Sequence, residues 1–251
     1  MIRTIIKILS WAGIAVWFVV VMGFVSGESK EVLCNRIDVI ITDTIQNRFV
    51  TRSMVNAMLE SSEFQLQGYP LSGVNTRELE HTLERNPHIL NAEVSKDISG
   101  KLKIVVEQRK PLVRILPDGQ RGFYLDTEGR ILPLSDHFTP LIMLVTGHIP
   151  SSGTAADPSG KLEEIFKFCS YLDGHPFWKN QIVQIYVNDR GEYELIPRVG
   201  AHQILLGSME NWEEKTRNLE LLYNQGLSRY GWNTYRTINL KYTNQVICTK
   251  R

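Results

Sequence analysis

An unbroken apolar run near the amino terminus dominates the hydrophobic pattern of the chain. Residues 8–25 read ILSWAGIAVWFVVVMGFV and contain no charged side chain. At a rise of about 1.5 Å per residue, a helix of this length spans about 27 Å, which suits the hydrocarbon core of a bilayer. Arg3 and Lys7 precede the run. The positive-inside rule therefore predicts a cytoplasmic tail over residues 1–7, a transmembrane helix over 8–25 and an extracytoplasmic remainder.

A cleaved signal peptide is the competing interpretation of this segment. Ser26, Gly27 and Ser29 are small residues of the kind found near cleavage sites. The apolar run is longer than a usual signal-peptide core and is rich in Val, Phe and Trp, which favours an uncleaved anchor. A soluble core helix is disfavoured because the segment has no polar face. We expect a linker over residues 26–34 to follow the anchor.

Residues 35–110 combine strand and helix periodicities. Thr51 and Asn75 precede the helical stretches as N-cap residues, and Pro87 ends the second stretch. The order is therefore β-α-α-β-β, in which two helices can cover one face of a three-stranded sheet. Alternating strand patterns lie at 37–41, 92–94 and 102–106, and helical patterns lie at 51–60 and 76–83.

Residues 111–251 are predicted to form a β-rich domain with two or more helices. Asn188-Asp189-Arg190-Gly191 is a strong hairpin turn. Amphipathic helices are predicted over 161–172 and from Ser208 to about Gly226. The fold class is accordingly α+β: an N-terminal transmembrane helix, a β-α-α-β-β domain and a β-rich domain. Short strand patterns lie at 112–116, 122–126, 131–134, 182–187, 192–197, 203–206, 236–242 and 245–249, with an apolar run at 140–146.

Composition and motifs give no reason to expect nucleic-acid binding or catalysis. The chain has 28 Lys and Arg against 27 Asp and Glu, so no basic excess is available to bind phosphates. It contains no P-loop, nucleophile-elbow or zinc-protease motif, and its histidines lack ligand spacing. Asp126 and Glu128 flank a turn ending in Gly129, where backbone conformation explains Asp and Gly. We therefore expect no catalytic residue, no metal and no cofactor.

The three cysteines are far apart in the sequence. Cys34, Cys169 and Cys248 form no CxxC unit, and an odd number leaves at least one free thiol. In an oxidising compartment, two of the three cysteines could still form one disulfide. We interpret Cys169 and Cys248 as small, buried apolar residues.

Four short motifs, in order along the chain, resemble the bacterial cell-division family called FtsQ or DivIB. In the last motif, Asn239 replaces the family's acidic residue and Lys241 replaces its arginine. Each motif alone is weak, but the ordered set behind a signal anchor is much more specific. The motifs are NPHILNAEV at 86–94, EQRKP at 107–111, YLDTEG at 124–129 and INLKY at 238–242.

The resemblance implies both an architecture and a role. It implies a POTRA domain over residues 35–110 and a C-terminal β domain over 111–251. It also implies a non-enzymatic divisome scaffold in the inner (plasma) membrane, single-pass, with a periplasmic or extracytoplasmic bulk at the division site. The implied partners are an FtsB/FtsL-like pair and other divisome components. By resemblance, Lys241 and Tyr242 match positions of the partner contact, and Val246 lies on the following strand segment.

The terminal strand has a second interpretation, in which Ile238, Leu240 and Tyr242 merely alternate into the core. Two further functions also remain open. One is a POTRA-containing envelope protein of outer-membrane export or assembly. The other is a membrane-anchored periplasmic hydrolase whose site is assembled from distant residues.

Overall fold

The computed structural model describes residues 11–23, 32–44, 47–61, 66–149, 160–242 and 244–251. Residues 11–23 form a helix, α1, whose side chains are exposed. No helix within the described ranges is both long and apolar enough to span a membrane. Residues 8–10 and 24–25 of the predicted transmembrane segment lie outside the described residues, so that segment stays a prediction. The chain divides into two compact units, residues 1–108 and 109–251.

The first unit is a three-stranded sheet with two helices, in the predicted β-α-α-β-β order. Strand order is β1-β3-β2, with β1 parallel and β2 antiparallel to the central β3. The elements are β1 (Arg36–Ile41), α2 (Arg52–Ser61), a short 3₁₀ turn (Leu71–Gly73), α3 (Thr76–Glu84), β2 (Ile89–Lys96) and β3 (Lys101–Gln108).

Local sequence explains where both helices of this unit begin. The Thr51 hydroxyl accepts the Met54 backbone N–H at 3.3 Å. Asn75 accepts the Glu78 N–H at 3.4 Å, and its amide donates to the Glu78 carboxylate at 3.3 Å. These contacts satisfy N–H groups that the first turn of a helix leaves without partners. Both predicted caps are confirmed.

The second unit is built on one nine-stranded sheet, in the order β12-β11-β10-β9-β8-β7-β4-β5-β6. Helices α4 and α5 contribute to the same core cluster as one face of the sheet. Its strands are β4 (Pro111–Pro117), β5 (Phe123–Asp126), β6 (Ile131–Pro133), β7 (Met143–Gly147), β8 (Ile182–Val187), β9 (Tyr193–Pro197), β10 (Gln203–Gly207), β11 (Tyr235–Asn239) and β12 (Ile247–Lys250). Its helices are α4 (Lys161–Gly174), a 3₁₀ turn (Trp178–Asn180), α5 (Trp212–Leu221), a π-helical segment (Leu222–Leu227) and α6 (Ser228–Tyr230).

Two predicted boundaries in this unit are wrong. The second long helix begins at Trp212, not at Ser208, because Asn211 takes a left-handed φ of 53° that cannot continue a helix. The strand predicted to reach Tyr242 ends at Asn239. There the Asn239 side chain accepts the Lys241 backbone N–H at 2.9 Å, which turns the chain out of the ladder.

A single in-register row of apolar residues crosses the sheet. Strand pairing aligns its members directly, and each is almost fully buried. Side chains at directly opposite positions pack as cross-strand pairs, so the row ties six strands into one layer. The row consists of Ile115, Val145, Ile185, Leu195, Ile204 and Ile238.

A buried ion pair organises the start of the second unit. Arg109 Nη1 lies 3.1 Å from Asp126 and 3.1 Å from Glu128, and the side chains of Arg109 and Asp126 are 10% and 2% exposed. The other Asp126 oxygen accepts the N–H groups of Glu128 and Arg130 at 2.9 and 2.8 Å. The turn from Asp126 to Gly129 therefore has a structural role, since it presents the Asp126 carboxylate to Arg109.

A second buried polar cluster lies around His202, the residue before β10. His202 is 3% exposed, and its Nε2 lies 2.7 Å from the Tyr223 hydroxyl. Its Nδ1 lies 3.4 Å from the Trp232 carbonyl oxygen, which can only accept a hydrogen bond. We therefore assign the ring proton to Nδ1, with Nε2 accepting from Tyr223. Burial, with the nearby Arg251 charge, lowers the pKa of His202 although the Trp232 carbonyl opposes the shift.

We predict that replacing Arg109 with Ala destabilises the second unit by about 3 kcal/mol, because Asp126 would be left buried and unpaired. Denaturant unfolding followed by tryptophan fluorescence measures this, since Trp178, Trp212 and Trp232 all lie in this unit. Arg130→Ala is the control. Arg130 is 64% exposed and 3.4 Å from Glu128, so its loss should change stability by less than about 1 kcal/mol. Equal effects of the two substitutions would contradict the prediction.

We also predict that this unit loses stability as pH falls. The folded pKa of His202 lies below the unfolded one, so the unfolded state binds more protons over the interval between them. The stabilisation is complete above the unfolded pKa of about 6.5 and is lost as pH falls through the folded pKa. The difference between the unfolding free energies of wild type and His202→Gln, measured from about pH 8 to about pH 5, isolates this contribution. Identical pH profiles would contradict it.

Candidate partner-binding edge

The carboxyl-terminal strand forms one edge of the nine-stranded sheet. Strand β12 pairs antiparallel with β11, with Ile238 opposite Cys248 and Asn239 opposite Ile247. Within the described part of the chain, its other side faces no strand. An edge strand presents alternate backbone N–H and C=O groups outward, and these can pair with an added strand. The backbone of β12 is thus available along one side.

The opposite edge of the sheet is less suited to such pairing. It is formed by the three-residue strand β6, which ends in Pro133. Proline has no N–H to donate, and very short edge strands are a common way of blocking edge pairing. Strand β12 is one residue longer and contains no proline, so each of its residues has a backbone N–H.

A tight connection returns the chain from β11 to β12. The Leu240 N–H donates to the Leu205 carbonyl at 2.9 Å, which extends pairing with β10 one residue beyond β11. Gln245 N–H then donates to the Tyr242 carbonyl at 3.3 Å and closes a turn. We call the described residues of this connection, 240–242 and 244–246, the docking turn. Leu240 is 1% exposed and anchors the base of this turn in the core.

The three predicted partner-binding residues all lie on the docking turn, in different environments. Tyr242 is 56% exposed. Val246 is half-buried and packs against the core. Lys241 is exposed as a residue, but its ammonium lies 2.7 Å from Glu192. The three residues therefore share one segment but differ in how far each is exposed.

The core interpretation of the terminal motif is correct for two residues and wrong for the third. Ile238 and Leu240 are 0% and 1% exposed, whereas Tyr242 is not buried. The reason is the turn at Lys241, which ends the alternation of the strand before Tyr242 is reached. Tyr242 is therefore not a core residue.

Glu192 belongs to this site and was not predicted. It follows the turn between β8 and β9. Its carboxylate accepts a hydrogen bond from the Lys241 ammonium at 2.7 Å and one from the Asn188 amide at 3.3 Å. These two hydrogen bonds, that from Lys241 first, lower the pKa of Glu192. In the sequence Glu192 is one of many strand-end acids, and no local pattern links it to a lysine 49 positions later.

The cysteines are free thiols. Cys34 and Cys169 are fully buried, as predicted for Cys169. Cys248 is only half-buried, because it lies opposite Ile238 on the edge strand, beyond which the described part of the chain provides no further strand. Burial raises the pKa of each thiol, to about 12 for Cys169, so all three are protonated and poorly nucleophilic at neutral pH.

The described residues contain no group of three or more His, Cys, Asp or Glu side chains that could hold a metal ion. Of the acidic side chains discussed above, Asp126 is engaged by Arg109 and Glu192 by Lys241. Strand β12 itself offers backbone hydrogen-bonding groups and the exposed apolar side chain of Ile247.

Each of the two units matches a known protein-family model. Residues 32–107 match the model of a POTRA-like domain. Residues 110–249 match the model described as FtsQ/DivIB, C-terminal related, and this match covers more than half of the 251 residues. A comparison with curated proteins gives no match. The chain therefore belongs to the FtsQ/DivIB family of cell-division proteins, with a POTRA-like domain followed by the C-terminal related domain of that family.

Proposed function

We propose that this protein is a non-enzymatic divisome scaffold that binds an FtsB/FtsL-like pair through the edge strand β12 and the docking turn. Family membership supports a role in cell division. The observation that carries the binding proposal is that, among the described strands, only β11 pairs with β12, and that Tyr242, in the turn before β12, is exposed. The same membership favours this role over the export and hydrolase alternatives.

Recognition would proceed by strand addition. A segment of the partner lies along β12, where backbone hydrogen bonds provide affinity that depends little on sequence. Specificity then comes from side chains beside the strand. Tyr242 and Ile247 are 56% and 43% exposed and supply apolar surface there. Tyrosine is a frequent hot-spot residue because it buries a large area and loses little side-chain entropy.

The predicted anchor would assist this binding. A helix over residues 8–25 would confine the protein to the inner (plasma) membrane with its amino terminus cytoplasmic and both folded units extracytoplasmic. Partners in the same membrane then meet the edge at a raised effective concentration. Within this arrangement the POTRA-like unit serves recruitment of other divisome components, and the second unit holds the bound pair.

We predict that Tyr242→Glu raises the dissociation constant for the FtsB/FtsL-like pair by about 30-fold or more, since a hot-spot tyrosine contributes about 2 kcal/mol and a charge would oppose burial. Binding of the full chain to the purified pair measures the effect. Tyr69→Glu is the matched control, because Tyr69 is 51% exposed and lies in the first unit. Wild-type affinity for Tyr242→Glu with an unchanged melting temperature would refute the edge-strand proposal.

We further predict that a reporter enzyme active only outside the cytoplasm is active when fused after Arg251. The charges before residue 8 retain the amino terminus inside, so everything after the anchor is exported. Deleting residues 8–25 should abolish reporter activity and provides the control. Activity of a cytoplasm-specific reporter at the same position would instead reverse the topology.

A further inference from the structure

The lysine of the docking turn is held by a carboxylate from a distant hairpin. Lys241 Nζ and Glu192 Oε2 lie 2.7 Å apart, and the two side chains are 35% and 29% exposed. We infer that Glu192 is a positioning residue: it fixes the Lys241 side chain and, through it, the docking turn from which Tyr242 projects. The inference rests on the proposed function and adds to it a residue that controls the geometry of the binding segment.

Contacts other than the one with Lys241 also hold the Glu192 carboxylate and its hairpin in place. Asn188 Oδ1 accepts the N–H groups of Arg190 and Glu192, both at 3.0 Å, and the Asn188 amide donates to the Glu192 carboxylate at 3.3 Å. From the other side, Lys161 Nζ donates to the Gly191 carbonyl at 3.2 Å. The hairpin is therefore fixed by contacts independent of the docking turn, so its carboxylate acts as a fixed point for Lys241.

A glycine defines the path of the Lys241 side chain. Gly207, at the end of β10, has a φ of 76°, and a Cβ there would lie 2.9 Å from Lys241 Cγ. The aliphatic part of Lys241 thus lies against bare backbone at Gly207 before its ammonium reaches Glu192. Any other residue at 207 would strain the backbone and push this side chain away. Both ends of the lysine side chain are consequently placed by residues outside the docking turn.

The ion pair restrains one segment and has little effect on the whole domain. Partly exposed ion pairs contribute little to global stability. Here, however, the backbone of Lys241 is held as well, by the Asn239 side chain at 2.9 Å. With backbone and ammonium both fixed, Lys241 is a two-point attachment immediately before Tyr242. Because hydrogen bonds keep the pKa of Glu192 below its ordinary value, the pair also persists at mildly acidic pH.

Hydrogen exchange in the free, full-length chain tests the positioning directly. Glu192→Gln keeps the shape of the side chain and removes its charge. We expect amide exchange across residues 241–246 to become several-fold faster, with unchanged exchange in the strands and an unchanged melting temperature. Glu194→Gln is the matched control, since Glu194 lies two residues further on and is hydrogen-bonded to Gln203 instead. Unaltered exchange at the docking turn, or uniformly faster exchange across the unit, would overturn the inference.

Binding experiments connect the positioning to function. We expect Glu192→Gln to raise the dissociation constant for the FtsB/FtsL-like pair about two- to fivefold, the range an exposed ion pair supplies. In a Lys241→Gln background the same change should have no further effect, because its target is gone. An equal effect in both backgrounds would overturn the inference. Failure of the wild-type chain to bind the pair, with exchange changed as expected, would refute the proposed function and leave the positioning role supported.

Discussion

The in-register apolar row from Ile115 to Ile238 is the constraint on which the second unit depends. It crosses six strands, β4 and β7 to β11, which lie side by side in the sheet in the order in which they occur in the chain. Because side chains alternate between the two faces of a strand, a shift of one residue in any pairing would expose that strand's buried set. The row therefore fixes the register of each strand, and with it the place of β11 beside β10 and of β12 at the edge.

The edge strand follows from this arrangement. Cys248 continues the row onto β12 but is only half-buried, since nothing in the described sheet covers it from outside. A domain that ends its sheet this way keeps an unpaired backbone, which a soluble protein usually blocks. At the other edge, β6 is short and ends in Pro133. This asymmetry supports reading β12 as a surface retained for a partner, and the contacts around Lys241 as the means of presenting it.

Sequence periodicity was sufficient for most elements of the fold. In the first unit, alternating strands and capped helices predicted β1 to β3 with boundaries close to those observed, because Thr51 and Asn75 act through contacts a few residues away. The two errors have the same origin. Asn211 in a left-handed conformation sets where α5 begins, and the Asn239 side chain bonded to the Lys241 N–H sets where β11 ends, so local polar geometry decides both boundaries. Hydrophobic pattern carries no information about either.

Less of the candidate site than of the fold could be predicted from the sequence. Resemblance pointed to Lys241, Tyr242 and Val246, and all three lie on one turn, but their exposures differ because only the folded turn decides which side chain faces outward. Glu192 was missed because its partner is 49 positions away and its own surroundings read as an ordinary hairpin. A long-range ion pair leaves no periodic signal in either segment.

By itself, the sequence determined the family motifs, the apolar amino-terminal segment and the succession of strands and helices. These depend on spacing within a few residues, where backbone periodicity and capping act. Only the tertiary structure decided that β12 lies at the edge of the sheet, that Tyr242 is exposed on the turn before it and that Glu192 holds Lys241. Strand order and contacts between distant hairpins arise from burying one shared core, and no segment of the chain contains that information alone.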